Sequence, residues 1–176
     1  AELSTKIASV KAWLYTDLDR YHQLTDTYNP NFYRKAVFAG KLDIEDELNR
    51  IGLFTVSFSS LPFQYSEEGG MQTEYATGDT VNNPYPFPSK PYIKVYGSGE
   101  GTLTLQSASH NSTWKFLELD GYLEIDSEQM NFYKEAMPKN DLVEGSGFPV
   151  LYPGENAITF TGGITKIEIE PRWQTL

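Results

Sequence analysis

Leu3, Ile7, Val10 and Leu14 stand four, three and four residues apart, which lays one apolar stripe along a 3.6-residue period. The spacing predicts a helix over residues 2–18. No complete capping signal precedes it, and a helix that opens at the first residue is expected to be the cut edge of a larger domain; the competing expectation is a natural terminus that frays. Downstream the period changes to two, with Phe54, Val56 and Phe58 alternating with Thr55, Ser57 and Ser59 as in a strand. Residues 32–42 are a second, more mixed strand candidate, and the acidic run 43–50 between the two reads as a loop or an exposed edge. From 66 to 91 the chain holds Glu67-Glu68-Gly69-Gly70, Asn82-Asn83-Pro84, Pro86, Pro88 and Pro91. Proline removes backbone donors and fixes φ, so this stretch is expected to be a linker or a wrapping segment.

The second half has the plainest pattern. Residues 92–96 and 102–106 flank Gly97-Ser98-Gly99-Glu100-Gly101, which predicts a hairpin with a glycine-rich loop. Residues 114–119 and 122–127 flank Asp120-Gly121, a signal for a type I′ hairpin turn. Pairing outward from that turn sets Leu119 opposite Tyr122, Phe116 opposite Ile125 and Trp114 opposite Ser127. One face then carries Trp114, Phe116, Leu123 and Ile125, and the other a Lys115–Asp126 ion pair. Residues 157–161 and 164–170 flank Gly162-Gly163 in the same way, with Ile158, Phe160, Ile167 and Ile169 on one face and Thr159, Lys166 and Glu168 on the other. Hairpins with one apolar face each bury those faces most economically against one another, in a two-layer sandwich.

Composition supports a mainly β chain. Of 176 residues 14% are aromatic, with 12 Tyr and 10 Phe, residue types that fit pleated, half-buried surfaces. The absence of cysteine excludes disulfides, thiolate zinc sites and a cysteine nucleophile. The two histidines, His22 and His110, are far apart in sequence, which argues against a histidine metal centre. A net charge of −10 argues against nucleic acid as a partner, since phosphate binding needs clustered Lys and Arg. No apolar run approaches the ~20 residues a membrane-spanning helix needs, so no membrane insertion is expected. No signal peptide opens the chain, and Ala1 stands where an initiating Met is expected.

The candidate chemistry is thin. Glu118, Glu124, Asp126 and Glu128 are a carboxylate cluster, and a pair of carboxylates can serve a glycosidase as acid and base. Alternating charge is also what a half-exposed strand displays, and the solvated face is the preferred reading. Asp126 and Glu128 lack the loop spacing of an EF-hand calcium site. Residues 97–101 lack the Lys-Ser/Thr ending of a phosphate loop, no Gly-x-Ser-x-Gly elbow occurs, and His110 sits in a polar Ser-His-Asn-Ser loop. Tyr75, Tyr85, Phe87, Tyr92, Tyr96, Tyr122 and Tyr152 are an aromatic set of the kind that sugars stack on, although Tyr fills strands and protein interfaces as readily. No catalytic, cofactor-binding or metal-ligating residue and no cofactor is therefore assigned, and the chain is not expected to be an enzyme.

Several stretches in fixed order resemble the phage distal tail (Dit) protein family, the tail-tip hub of long-tailed siphophages. They are Ala12-Trp13-Leu14-Tyr15, Phe32-Tyr33-Arg34-Lys35-Ala36, Phe58-Ser59-Ser60-Leu61-Pro62-Phe63-Gln64-Tyr65, Leu119-Asp120-Gly121 with Ile125-Asp126-Ser127-Glu128, residues 148–156, and Pro171-Arg172-Trp173. The resemblance covers nearly the whole chain. It implies a partial N-terminal α+β domain over 1–66 with one helix and a few antiparallel strands, a linker or wrapping segment over 67–91, and a galectin-like or jelly-roll β-sandwich over 92–176. It further implies a structural subunit of a virion or prophage tail, made in the bacterial host cytoplasm. In the full-length protein that subunit forms a hexameric ring joining the tail tube to the tail-associated protein and to receptor-binding or baseplate proteins. The family's opening strands, which precede the helix, are missing here, so the ring-forming domain is expected to be incomplete. The alternative expectation is a carbohydrate-binding sandwich module for host cell-wall saccharide. Pro171 is expected to stop the last strand and leave Arg172 and Trp173 to fold back or dock, while Asp120 and Asn156 are read as turn residues.

Overall fold

The computed structural model describes residues 2–40, 55–145 and 147–176, with side chains from residue 5 onward. The chain divides into two compact units, 1–64 with Leu176, and 65–175.

In the first unit, helix α1 spans Glu2–Leu14, four residues shorter than the apolar stripe predicts. Two events end it. The Thr16 hydroxyl donates to the Ala12 carbonyl at 2.7 Å and competes with the helical ladder, and Asp17 takes φ 47°, a conformation no helix continues. Ile7 and Leu14 are buried and Val10 half-buried against Phe38, Val56 and Phe58. Strands β1 (His22–Thr25) and β2 (Phe32–Phe38) pair antiparallel from His22↔Ala36 to Thr25↔Tyr33, and β3 (Phe58–Ser66) follows β2 in the sheet. The strand expected from the Phe54–Phe58 alternation begins only at Phe58. Residues 55–57 precede it without a ladder, with Ser57 O accepting from Ala39 N at 3.0 Å. Phe54, the acidic run 43–50 and the end of the 32–42 candidate lie outside the described residues.

The second unit is one sheet in the order β4-β11-β6-β7-β8-β9, with β5 also beside β11 and β10 beside β7. The strands are β4 (Thr73–Tyr75), β5 (Thr80–Asn83), β6 (Tyr92–Gln106), β7 (Asn111–Asp126), β8 (Asn131–Lys134), β9 (Met137–Pro138), β10 (Val143–Gly145) and β11 (Gly154–Glu170). Within 67–91, expected to link or wrap, β4 and β5 both pair with β11, and Ser89 bridges to Leu151. Pro84, Pro86, Pro88 and Pro91 all fall between β5 and β6, outside both ladders.

None of the three glycine-centred hairpins forms. Residues 97–101, 120–121 and 162–163 lie inside β6, β7 and β11, which run on through them for 15, 16 and 17 residues. β6 pairs with β7 from Tyr92↔Asp126 to Gln106↔Asn111 and with β11 from Glu170↔Tyr92 to Ala157↔Gln106. Trp114 therefore faces Leu103, Phe116 faces Gly101, and Gly97 faces Gly121. The actual reversal between β6 and β7 is at 107–110, where Ser107 N donates to His110 O at 2.8 Å. Lys115 pairs with Glu100 at 3.3 Å rather than with Asp126.

The glycines instead align as a crease across three neighbouring strands. Register slips cluster there, between Gly99 and Gly101 against β7 and between Gly162 and Lys166 against β6. Such slips insert extra residues and increase the twist, and a net offset of one residue, as arises along both ladders, switches which side chains point inward. In β7 the buried residues accordingly change from Trp114 and Phe116 to Leu119, Leu123 and Ile125; in β11 they change from Ile158 and Phe160 to Ile167 and Ile169. All belong to one core with Ile93, Val95, Leu103 and Leu105, so the sheet doubles over and supplies both layers of a β-sandwich. The inward faces read from the sequence are those observed, because the alternation survives on each side of the crease.

Gly163 and Gly97 make the crease passable. A Cβ on Gly163 would collide with Ser98 O, and one on Gly97 with Gly163 O, both backbone atoms that no rotamer change can move. Gly163→Ala is expected to destabilise the protein by about 3 kcal/mol or more in urea unfolding. Gly70→Ala, which meets nothing within 4 Å, is expected to stay within about 0.5 kcal/mol of wild type.

Candidate interaction surfaces

The carboxylates singled out in the sequence do not converge on a cleft. Glu118 is exposed, Glu124 accepts from the Tyr92 hydroxyl, and Asp126, 4% exposed, turns to Arg172. Arg172 Nη1 and Nη2 donate to Asp126 Oδ1 and Oδ2 at 2.9 and 3.1 Å, with Glu170 at 3.2 Å and Glu128 at 3.6 Å beside them. The Asp126 carboxylate also takes the backbone N–H groups of Glu128 and Gln129. Burial pushes its pKa up, but the Arg172 guanidinium and these N–H donors outweigh that and hold it below the usual carboxylate value. Arg172 itself sits at φ 55°, a strained conformation for a side-chain-bearing residue, kept there by these bonds and by its own N–H to Gly69 O at 2.7 Å. On either side Pro171 O accepts from the buried Ser89 hydroxyl and Trp173 packs in the core. The Pro-Arg-Trp segment thus folds back as a clasp.

Three of the seven flagged aromatics share one surface. The outer face of the sheet carries Lys166, Tyr96 and Tyr122 in one cross-strand row, and Glu74, Glu168, Lys94, Glu124 and Tyr133 in the next. Tyr92 lies beyond them, opposite Asp126. Lys94 Nζ sits 4.0 Å above the Tyr122 ring centre, and Lys166 Nζ 4.8 Å from that of Tyr96. The Tyr96 hydroxyl donates to Glu168 at 2.9 Å, and Lys166 bonds Glu74 and Glu168. Burial and the Glu124 contact raise the Tyr92 hydroxyl well above its ordinary value. A sugar stacking on Tyr122 would have to displace Lys94 from its face. Tyr133, on a strand without an advance signal, completes the lattice.

The remaining aromatics serve other ends. Tyr75, opposite Ile167, turns inward, Tyr85 packs on the core and Phe87 is half-buried. Tyr152 stacks on His110 with ring centres 3.7 Å apart. Asn156 is a turn residue, its side chain bonding Tyr152 N, Tyr152 O and Gly154 O. Asp120 is not one: it lies within β7 and pairs with Lys134 at 3.2 Å. Among the described residues no group of three or more His, Asp or Glu is placed to hold a metal.

The first unit presents a different surface. Trp13, Tyr15, Leu18 and Tyr21 are exposed along the end of α1 and the turn after it, and Tyr28 is 98% exposed. Between α1 and the β1–β2 hairpin opens a cleft of about 310 Å³, walled by Trp13, Leu14, Leu24, Phe38 and Phe58 with Thr16, His22 and Gln23 at its polar edge. Trp13 and Phe38 each meet Phe58 edge to face. Among the described residues β1 has no strand on its outer side.

The second unit thus carries a bonded surface lattice, and the first carries exposed rings beside an apolar cleft. The chain has the fold of the SPP1 Dit (gp 19.1) protein, described as a paradigm of hub adsorption apparatus in Gram-positive-infecting phages. The two superpose with a TM-score of 0.64 over 99% of this chain and 72% of that one, at 15% sequence identity. No family model and no curated protein sequence matches the chain.

The clasp should be visible in acid. The folded-state pKa of Asp126 is depressed, so its contribution is complete above the unfolded value of about 4 and is lost as pH falls through the folded one. Arg172→Ala, which strands a buried carboxylate, is expected to cost about 2–4 kcal/mol at pH 7. It should also flatten the loss of stability below pH 4, as read by urea unfolding across pH 2–7.

Proposed function

We propose that this chain is a structural subunit of a phage tail tip. In this reading it is a hub that links the tail tube to tail-associated and receptor-binding proteins through surface complementarity alone. The likeness to a Dit hub protein over essentially the whole chain carries the proposal. Two features of the molecule support it. The first unit exposes Trp13, Tyr15, Leu18 and Tyr21 along the end of α1 and the turn after it, and Tyr28 at the hairpin tip, large apolar groups of the kind that protein interfaces favour. The second unit spends its tyrosines, lysines and carboxylates on one another, which leaves an ordered and already satisfied surface. Rigid surfaces of that kind suit a scaffold, because little freedom is lost when a partner docks.

On this reading the first unit builds a hexameric ring. A closed ring needs contacts that join different patches on successive copies. The complete natural protein is therefore expected to run as a single cyclic oligomer, near six copies, in native mass spectrometry at micromolar concentration. A species that stays monomeric up to hundreds of micromolar would count against the hub. Calorimetry against host cell-wall polysaccharide is expected to show no heat of binding; binding lost on Tyr122→Ala would move the reading to a saccharide module.

A further inference from the structure

We propose that Tyr28 of one copy seats in the cleft between α1 and the β1–β2 hairpin of the next, so that the first units associate head to tail. The inference rests on the hub reading and names the contact that would make it.

The knob is built in advance. Tyr28 lies at the tip of the β1–β2 hairpin, where Asp26 Oδ1 accepts from the N–H groups of Tyr28 and Asn29 at 2.8 and 2.9 Å. Asn29 O accepts from Phe32 N at 3.1 Å, and the Asn29 amide donates to Gln64 on β3 at 3.1 Å. A turn held by four hydrogen bonds therefore displays a tyrosine that is 98% exposed. Burying that ring in a partner gains its apolar area, and the ordering cost of the loop is already met.

The hole matches it in size and chemistry. A cleft of about 310 Å³ has ample room to admit an aromatic side chain. Its walls, Trp13, Phe38 and Phe58, offer ring edges and faces. Its polar edge, Thr16, His22 and Gln23, offers partners for a phenol hydroxyl, the arrangement a buried tyrosine requires.

Topology forbids the contact within one copy. The cleft takes His22–Leu24 and Ala36–Phe38 at the open end of the hairpin, whereas Tyr28 lies beyond the Thr25↔Tyr33 pair at the closed end. The intervening strand is extended over about 10 Å and locked by its ladder, so the tip cannot return to its own cleft. Knob and hole are different patches of one unit, the condition for a head-to-tail contact that closes into a ring.

This chain has no cysteine, and with any cysteine elsewhere in the complete protein replaced by serine, engineered thiols report without background. Thr16→Cys with Tyr28→Cys in the complete protein, under mild oxidation, is expected to give a ladder of covalent oligomers on a denaturing gel, while either single variant stays monomeric. Tyr28→Ala is expected to weaken self-association at least tenfold in sedimentation, and Tyr28→Phe to keep most of it. If wild type and Tyr28→Ala assemble equally and no ladder forms, the contact is wrong and the hub reading stands. Crosslinking of Tyr28→Cys alone, or a disulfide within one chain, also overturns it. A wild-type protein that never self-associates removes both.

Discussion

Where β6, β7 and β11 turn together, main chain lies against main chain. A side chain at Gly163 or Gly97 would need space already filled by Ser98 O or Gly163 O. The core on both sides depends on that contact, because strands of 15 to 17 residues belong to both layers at once and no loop relieves them. Doubling a sheet this way removes two problems together. The apolar faces meet without extra chain, and the ladders of β6 with β7 and β11 continue through the bend, so few backbone groups are left unpaired in the interior. The register slips at the crease supply the added twist that lets a flat ladder turn so sharply.

With the inner face fixed by packing, the outer face and the chain end are fixed by charge. Asp126 ends β7 and Arg172 follows β11, so their two-point contact ties together strands separated by β6 in the sheet. The strained Arg172 backbone is stable only because Asp126, Glu170 and Gly69 hold it from three sides. Burying the Trp173 ring beside it shows the sense of the strain: the turn that places Trp173 in the core requires it.

The sequence displays its inward faces plainly and hides its connectivity. Trp114, Phe116, Leu123, Ile125, Ile158, Phe160, Ile167 and Ile169 are all buried, since alternation along a strand is a local property. Asp120-Gly121 and Gly162-Gly163 signal a reversal only through a positive φ and a missing Cβ, and a crease asks for the same two things. What separates the cases is the switch in which positions are apolar, from even to odd across 117–118 in β7 and across Thr165 in β11. A two-residue hairpin needs no such switch. The Asp126–Arg172 clasp was out of reach, because it joins residues 46 apart whose meeting is decided by the fold. The tyrosine surface was half visible: three flagged tyrosines share it, but Lys94 and Lys166, which cover the rings, carry no signal until the register is known.

The two units differ in how much of their stability they can supply alone. In the second unit a continuous buried core runs from Val81 to Trp173. Among the described residues of the first, the cluster centres on Ile7 and Leu14, with Val10, Phe38, Val56 and Phe58 only partly covered. A unit of about sixty residues is near the size where one core barely offsets the entropy of ordering the chain. Here Trp13 and Tyr28 lie outside that core, so apolar area that would stabilise an isolated unit is left facing solvent. Association that covers those rings would add to folding by mass action, which couples the order of the first unit to its assembly. The sandwich has no such need, since its rings and charges already answer one another. A chain divided in this way has a complete core in one part and, in the other, rings whose cover would come from association.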